Sequence, residues 1–180
     1  MVDRQEKKHD DRINLVIDPG MAFGTGHHET TRSCLVLIEK YAVKSAKGRF
    51  LDLGTGTGLL AIAASKLGYK EVQAVDTDPL AIEAASMNIG LNQVANVELR
   101  EGSIVEASGM FDCIAANIIS GVLVLLAPHI ALRLNTTGFA VLSGILSGQE
   151  GEVIEAMEKA RLTPREKYRD GKWVSLVVEQ

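Results

Sequence analysis

The stretch FLDLGTGTGLLAIAA (residues 50–64) contains an apolar run, three alternating glycines and a second apolar run. The first run has the composition of a buried strand, and the second predicts a helix. Gly54, Gly56 and Gly58 lie in the turn between them, where residues without a Cβ let a ligand approach the backbone. The start of the helix offers free N–H groups and a positive dipole end to an anionic group. The stretch therefore predicts a ligand site at the carboxyl edge of a parallel sheet.

The same glycines are compatible with two kinds of nucleotide ligand. Residues 56–61 (GTGLLA) fit the G-x-G-x-x-A fingerprint of dinucleotide folds, and Asp76 follows at the distance that this fingerprint requires. In dinucleotide folds the first fingerprint glycine directly follows an apolar strand, whereas here that strand would include Asp52 and Gly54. An acid at position 52 is better explained by the ammonium of a methionine moiety, with Asp76 accepting both ribose hydroxyls. These details favour S-adenosylmethionine, with Asp52, Gly56 and Asp76 as cofactor contacts.

Strand and helix patterns alternate along most of the chain. Besides residues 49–54, the predicted strands are EVQAVD (71–76), NVELRE (96–101), FDCIAAN (111–117) and GFAVLSG (138–144). The predicted helices cover residues 30–44, 59–68, a segment from residue 79, 119–134 and 149–161. Strands separated by helices predict an α/β fold with a mostly parallel sheet. Asp170-Gly171 between two strand-like runs predicts a C-terminal antiparallel hairpin.

Local signals mark two helix ends. Gly68 is suited to a left-handed C-cap after the second helix. Asp78 is the predicted N-cap of the third helix, and Pro79 its first residue. The apolar residues whose helical spacing predicts the buried face of the third helix are Leu80, Ala84, Met87 and Leu91.

Length and charge restrict the class of protein. A chain of 180 residues predicts one domain, and its net charge of −4 argues against direct binding of nucleic acid. Residues 1–12 are charged and have no apolar centre, so we expect a leader or linker stub there and a folded catalytic domain over residues 13–180. The longest apolar run, residues 120–134, is too short and too interrupted to span a bilayer. We therefore expect a cytoplasmic protein without a membrane segment.

Neither the cysteines nor the histidine pair predicts a linked or metal-bound site. Cys34 and Cys113 are far apart, which favours unpaired thiols in a reducing compartment. His27 and His28 are adjacent, so on an extended chain their side chains point to opposite sides. Without further ligands at helical spacing, we predict no metal.

Five segments resemble the PrmA family of methyltransferases, which methylate large-subunit ribosomal protein eleven. They are DPGMAFGTGHHETT (18–31), LDLGTGTGLLAIAA (51–64), AVDTDPLAIEAASMN (74–88), AANII (115–119) and LSGIL (142–146). The resemblance implies the Rossmann-like, seven-stranded class I methyltransferase fold, S-adenosylmethionine as cofactor and a ribosomal protein as substrate. It implies cofactor contacts at Thr31, Gly54, Asp76 and Asn117. The family also carries an N-terminal recognition domain, and this chain begins near the end of the linker that follows such a domain.

The resemblance also suggests roles for the opening loop and for one asparagine. We expect residues 18–31 to fold over the cofactor pocket, with Phe23 covering the methionine end and Thr25 or Thr31 offering a hydroxyl. An acceptor amine must lose a proton before it attacks the methyl group, and desolvation beside a sulfonium favours that loss. We expect Asn117, the predicted catalytic residue, to accept a hydrogen bond from the amine and to orient its lone pair.

Other readings of the sequence stay open. The same fold serves methyltransferases that act on a different protein or on a small molecule, because a fold does not determine the acceptor. A non-catalytic module that binds S-adenosylmethionine has the same glycine loop. An NAD-binding oxidoreductase would also need a substrate domain, for which 180 residues leave little room.

Overall fold

The computed structural model describes residues 13–18, 28–43 and 45–180. Within these residues the chain forms five helices and seven strands in an alternating order. The helices are α1 (Glu29–Ala42), α2 (Leu59–Lys66), α3 (Pro79–Asn92), α4 (Ser120–Arg133) and α5 (Glu150–Lys159). The strands are β1 (Arg49–Leu53), β2 (Glu71–Asp76), β3 (Val97–Glu101), β4 (Phe111–Asn117), β5 (Leu134–Leu146), β6 (Thr163–Asp170) and β7 (Trp173–Glu179).

The strands form one sheet in the order β3-β2-β1-β4-β5-β7-β6. The first five strands of this order are parallel, and β7 lies antiparallel between β5 and β6. From β1 the chain continues to β2 on one side, and β4 later pairs with β1 on the other side. Such a switch point opens a crevice at the carboxyl ends of β1 and β4. The α/β fold with a mostly parallel seven-stranded sheet and a C-terminal antiparallel hairpin is confirmed.

The central strands are buried on both faces because helices cover the two sides of the sheet. In β4, Ile114 belongs to the core beneath α4 and α5, whereas Cys113 and Ala115 belong to the core beneath α1 and α2. This alternation follows from the two-residue period of a strand. Cys34, in α1, packs into the same core as Cys113, and both are free, buried thiols, as predicted.

The α3 helix has the predicted start, but three of the four residues predicted for its buried face are exposed. Leu80, Met87 and Leu91 are 54%, 54% and 53% exposed. Ala84 is buried as predicted, and the other residues that α3 buries are Ala81, Ala85, Asn88 and Asn92. The helix lies so close to the glycine loop that a Cβ on Gly58 would approach Ala85 Cβ to 3.1 Å. Close packing of this kind requires small side chains, so the larger apolar residues face outward.

The end of α2 and the start of α3 agree with the capping residues predicted from the sequence. Asp78 Oδ1 accepts a hydrogen bond from the N–H of Leu80 at 2.9 Å and so caps α3. Gly68 follows α2 with φ +96°, and its N–H donates to the carbonyl of Ser65, as in a left-handed C-cap. The β5 strand is longer than predicted, because it begins at Leu134, directly after α4. No helix in the described part of the chain combines the length and hydrophobicity that crossing a membrane requires.

Candidate functional site

A cavity of about 560 Å³ opens at the carboxyl ends of β1, β2 and β4, the edge that the sequence predicts. Its volume is within the range of small-molecule sites, roughly 300–1,000 Å³. The described residues that line it are His28, Thr30, Leu53, Gly54, Gly56, Asp76, Thr77, Gly102, Ser103, Asn117, Ile118, Ile119, Val122, Leu126, Gly144 and Trp173. The walls are therefore mostly apolar, with a few polar groups at strand ends.

The glycine loop has a backbone that other residues would adopt only with strain. Gly54, Gly56 and Gly58 have φ angles of +75°, +54° and +80°, in the left-handed region. The N–H groups of Gly54 and Thr55 both donate to the carbonyl of Val75 in β2, at 2.9 and 3.0 Å. The loop is thus fixed to the neighbouring strand through its backbone.

Asp76 connects the loop to the end of β2. Its Oδ2 accepts a hydrogen bond from the N–H of Gly56 at 2.9 Å, and its Oδ1 accepts one from the N–H of Asp78 at 3.1 Å. Each oxygen of a carboxylate accepts more than one hydrogen bond, so Asp76 keeps acceptor capacity toward the cavity that it lines. The structure brings this predicted site residue to the cavity together with Gly54, Gly56 and Asn117.

Asp52 lies beneath the glycine loop rather than in the cavity wall. It is 1% exposed, and its Oδ2 accepts hydrogen bonds from the hydroxyl of Thr55 at 2.7 Å and the N–H of Ala61 at 3.0 Å. The N–H of Ala61 is one of the groups at the start of α2 that the sequence predicts to be free for an anionic ligand. It is bonded to Asp52 instead. Burial raises the pKa of Asp52 to about 7, although both hydrogen bonds oppose that rise. The direct contact with a cofactor ammonium stays a prediction.

Asn117 ends β4 beside the start of α1. Its Nδ2 lies 3.4 Å from the hydroxyl of Thr31, a long hydrogen bond. Thr31 is 2% exposed, and of these two adjacent threonines it is Thr30 that lines the cavity. The ring of His28 caps α1 by accepting from the N–H of Thr30, so neither threonine is the cap.

Trp173 is a cavity residue that sequence reasoning did not identify. Its indole N–H is buried and has no hydrogen-bond partner among the described residues. The ring of His28 lies edge-on to it, with centroids 5.0 Å apart and an angle of 63°. The sequence signal that points to it is its position as the first residue of β7, just after the predicted hairpin turn.

Several predicted features fall partly or wholly outside the described residues, among them the predicted leader at residues 1–12. Phe23 and Thr25, the expected cover of the methionine end, lie there, and so does His27 of the histidine pair. Among the described residues, no three His, Cys, Asp or Glu side chains come together in a way that could hold a metal ion. The expectation of a metal-free site stays a prediction.

The sequence matches known proteins over nearly its whole length. The model of the ribosomal protein L11 methyltransferase (PrmA) family matches residues 1–180. A ribosomal protein L11 methyltransferase of Chloroflexus aurantiacus is 42% identical over 191 residues, which cover 92% of this chain and 58% of that protein. The one from Clostridium perfringens is 40% identical over 164 residues, which cover 91% of this chain and 52% of that protein. The chain thus spans little more than half the length of these curated relatives.

A solved structure agrees with the fold. A ribosomal protein L11 methylase from Lactobacillus delbrueckii subsp. bulgaricus superposes with a TM-score of 0.88 at 34% identity. The match covers 99% of this chain and 91% of that one. The arrangement of the seven strands around the cavity is therefore that of a class I methyltransferase fold.

Proposed function

The chain belongs to the ribosomal protein L11 methyltransferase (PrmA) family, and from this membership we propose that residues 13–180 form an S-adenosylmethionine-dependent methyltransferase domain. It transfers methyl groups to amino groups, a lysine side chain or an N-terminal amine, of a ribosomal protein. The reaction takes place in the cytoplasm, where a reducing environment suits the two free thiols. It needs neither a membrane nor direct contact with nucleic acid.

The observation that carries this proposal is the placement of Asp76 and Asn117 on one cavity, on opposite sides of the glycine loop of β1. The carboxylate of Asp76 suits a pair of ribose hydroxyls, which are hydrogen-bond donors. The backbone at Gly54 and Gly56 suits the polar tail of an amino acid, because no Cβ separates it from the cavity. The apolar residues of the same cavity suit a flat base and a thioether. The donor set therefore fits S-adenosylmethionine.

Some of the residues proposed to contact this cofactor belong to the described part of the structure, and two do not. Thr31, Gly54, Gly56, Asp76 and Asn117 lie at or directly behind the cavity wall. For Asp52 we propose support of the loop through Thr55 and Ala61 in addition to the predicted contact. Phe23 and Thr25 are proposed to cover the methionine end.

When bound, the cofactor supplies an activated methyl group on a sulfonium. The task of the protein is then to place a neutral amine in line with that methyl and to exclude water. Asn117 is proposed to hold the amine, because its side-chain oxygen accepts no described hydrogen bond while its Nδ2 donates to Thr31. An amine that enters an apolar cavity loses solvation, which lowers its pKa and favours the neutral form.

His28 and Trp173 are proposed to form the wall for the acceptor. Their ring centroids lie 5.0 Å apart on the cavity that Asn117 also lines, and they offer an apolar surface for a lysine stem. The buried indole N–H of Trp173 has no partner among the described residues, so it is available to a carbonyl of the incoming chain. A peptide acceptor supplies such a carbonyl and a small amine does not, which favours a protein substrate.

Calorimetry separates the classes of function. We expect S-adenosylhomocysteine to bind and NAD to show no binding heat at the same concentrations. Binding of NAD in preference to the homocysteine compound would replace this proposal with an oxidoreductase. Displacement of bound S-adenosylhomocysteine by adenosine would support the assignment of the sugar to Asp76.

Intact-mass analysis separates enzyme from binding module. Ribosomal protein L11 is incubated with the chain and S-adenosylmethionine, and its mass is followed over time. We expect increments of one methyl group, and peptide mapping then locates the modified amines. A second ribosomal protein of similar size serves as the control for selectivity. Cofactor binding without any mass increment on L11 or on whole ribosomal protein would favour the non-catalytic module.

A further inference from the structure

Two buried asparagines of α3 hold the segment that leads into the opening loop. Asn88 Oδ1 accepts from the N–H of Asp18 at 2.8 Å, and Asn88 Nδ2 donates to the carbonyl of Asp18 at 3.1 Å. Asn92 makes the same pair of bonds with Val16, at 3.0 and 2.6 Å. Each side-chain amide thus pairs with both backbone groups of one residue, as a neighbouring strand would.

The spacing of the two asparagines matches the spacing of the backbone that they bind. Residues four apart on a helix are separated by about 6 Å along its axis. Residues two apart on an extended chain are separated by about 6.6 Å. Because Asn88 binds Asp18 and Asn92 binds Val16, the segment runs antiparallel to α3. The pair therefore holds residues 16–18 in one register on the helix.

Asn88 differs from Asn92 in the remaining hydrogen bond of its amide. Its Nδ2 also donates to the carbonyl of Thr57, in the glycine loop, at 2.9 Å. The corresponding bond of Asn92 goes to the carbonyl of Asn88, within α3 itself. Asn88 and Thr57 are both fully buried, so water does not replace a lost bond there. Only Asn88 of the two connects the segment before the opening loop to the glycine loop.

We propose that Asn88 is a positioning residue for the cofactor: its single amide fixes the glycine loop relative to residues 16–18. This inference rests on the proposed function, because the ligand of the loop is the cofactor assigned there. Asn88 itself does not line the cavity, so it acts through Thr57 and the neighbouring Gly56, whose N–H is bonded to Asp76. Loss of the bond removes a buried hydrogen bond between α3 and the glycine loop, so the loop is held less firmly in its position.

The test compares Asn88→Ala with Asn92→Ala, since each variant removes two hydrogen bonds to residues 16–18 and one further hydrogen bond. Calorimetry with S-adenosylhomocysteine measures the Kd of each. We expect an increase of about tenfold for Asn88→Ala, the equivalent of one buried hydrogen bond, and less than about threefold for Asn92→Ala. We expect turnover at saturating cofactor to change less than about threefold in both, since neither residue touches the acceptor.

A second measurement does not depend on cofactor binding. Hydrogen exchange at the amides of residues 54–58 is expected to accelerate in Asn88→Ala and to stay near the wild-type rate in Asn92→Ala. Should Asn88→Ala fold poorly, Asn88→Asp keeps the shape and loses both donors, with Asn92→Asp as its partner. The inference would be overturned if the Asn88 variant and the matching Asn92 variant changed Kd and hydrogen exchange by the same amount. Both asparagines would then serve only to anchor residues 16–18. A wild-type chain that does not bind S-adenosylhomocysteine would instead contradict the proposed function.

Discussion

The two ends of the cavity differ in how their polar groups are satisfied. At the glycine loop, the described hydrogen bonds tie the N–H groups of Gly54, Thr55 and Gly56 to β2, and both oxygens of Asp76 accept from backbone. At the opposite end, Asn117 makes one long bond to Thr31. The indole N–H of Trp173 there has no partner in the described part of the chain.

This difference indicates which partner each end is built for. A loop that is already fixed loses little conformational entropy when a ligand binds, which favours a molecule that must be held in one pose. Buried groups without partners are costly unless something else satisfies them, and an incoming substrate does so. The fixed end is thus the end we assign to the cofactor, and the unsatisfied end is the one we assign to the acceptor.

The largest expected effect tests the fixed end. Asp76→Ala removes the acceptor proposed for the ribose hydroxyls and also the bond that holds Gly56. We expect the Kd for S-adenosylhomocysteine to rise by about 100-fold, which corresponds to the loss of two charge-assisted hydrogen bonds. Isothermal calorimetry measures this change directly.

Asp78→Ala is the matched control for that variant. Asp78 lies two residues further along and carries the same charge, but its side chain caps α3 through Leu80. We expect a loss of about 1 kcal/mol in stability, as for other N-caps, with a Kd within about threefold of wild type. Equal loss of affinity in the two variants would mean that only negative charge matters, and would remove the specific role of Asp76.

The next effect tests the unsatisfied end at Asn117. Asn117→Ala removes the group proposed to orient the amine, so we expect the methylation rate at saturating cofactor to fall by roughly 30-fold or more. The Kd for S-adenosylhomocysteine should rise by a clearly smaller factor than the fall in rate, because Asn117 is also a proposed cofactor contact. A radiolabelled methyl assay and calorimetry provide the two values. If rate and affinity fall by the same factor, Asn117 has no role in orienting the amine, and the contrast between the two ends is weaker.

Trp173→Phe tests the unpaired indole. The variant keeps an aromatic ring beside His28 but has no N–H to offer. If the N–H binds a carbonyl of the acceptor, kcat/KM for the protein substrate should fall by about tenfold, the value of one buried hydrogen bond. The cofactor Kd should stay unchanged.

A second acceptor sharpens that result. A short peptide that carries the modified residue presents a backbone carbonyl, whereas a simple alkylamine such as n-butylamine has none. We expect Trp173→Phe to reduce activity on the peptide more than any residual activity on the alkylamine. An unchanged kcat/KM on the protein would indicate that the indole serves packing only.

The fold could be predicted from the sequence because the local strand, helix and turn patterns agree with the arrangement of the whole sheet. The strand patterns at 49–54, 71–76 and 111–117 and the turn at 170–171 lie where the structure has β1, β2, β4 and the hairpin. The prediction failed at α3, where apolar size suggested that Leu80, Met87 and Leu91 were buried. Close approach to the glycine loop overrides hydrophobicity there, and that approach depends on tertiary packing.

The site residues differ in the same way, because some are positioned by local sequence and others by tertiary packing. The placement of Gly54 and Asp76 at the cavity was predictable because carboxyl ends of parallel strands meet at one edge, and Asn117 was identified through the resemblance to the family. Trp173 was not predictable, because its place at the cavity requires β7 to lie between β5 and β6. A hairpin signal does not tell which of its two strands pairs with the rest of the sheet. Asn88 was missed because its partners are up to 70 residues away in sequence.

The smallest expected effect concerns the support beneath the fixed end, the buried carboxyl of Asp52. Burial raises its pKa to about 7 in the folded protein, above the ordinary value of 3.8. The folded state therefore binds more protons than the unfolded state between these values, and stability is lost as the pH rises through about 7. We expect wild type to lose about 1 kcal/mol more than Asp52→Asn between pH 5 and pH 8, since relaxation reduces the full effect.

Urea unfolding of both proteins at the two pH values measures this difference. Asparagine still accepts from Thr55 and Ala61, so the loop keeps its two bonds. Glu150 and Glu166, whose pKa values are lowered by their hydrogen-bond partners, act with the opposite sign below about pH 4.5 and are common to both proteins. Parallel curves would mean that Asp52 is ionised throughout. The charge would then lie close to Asp76, and the cofactor end would be fixed at a higher cost in stability than we infer.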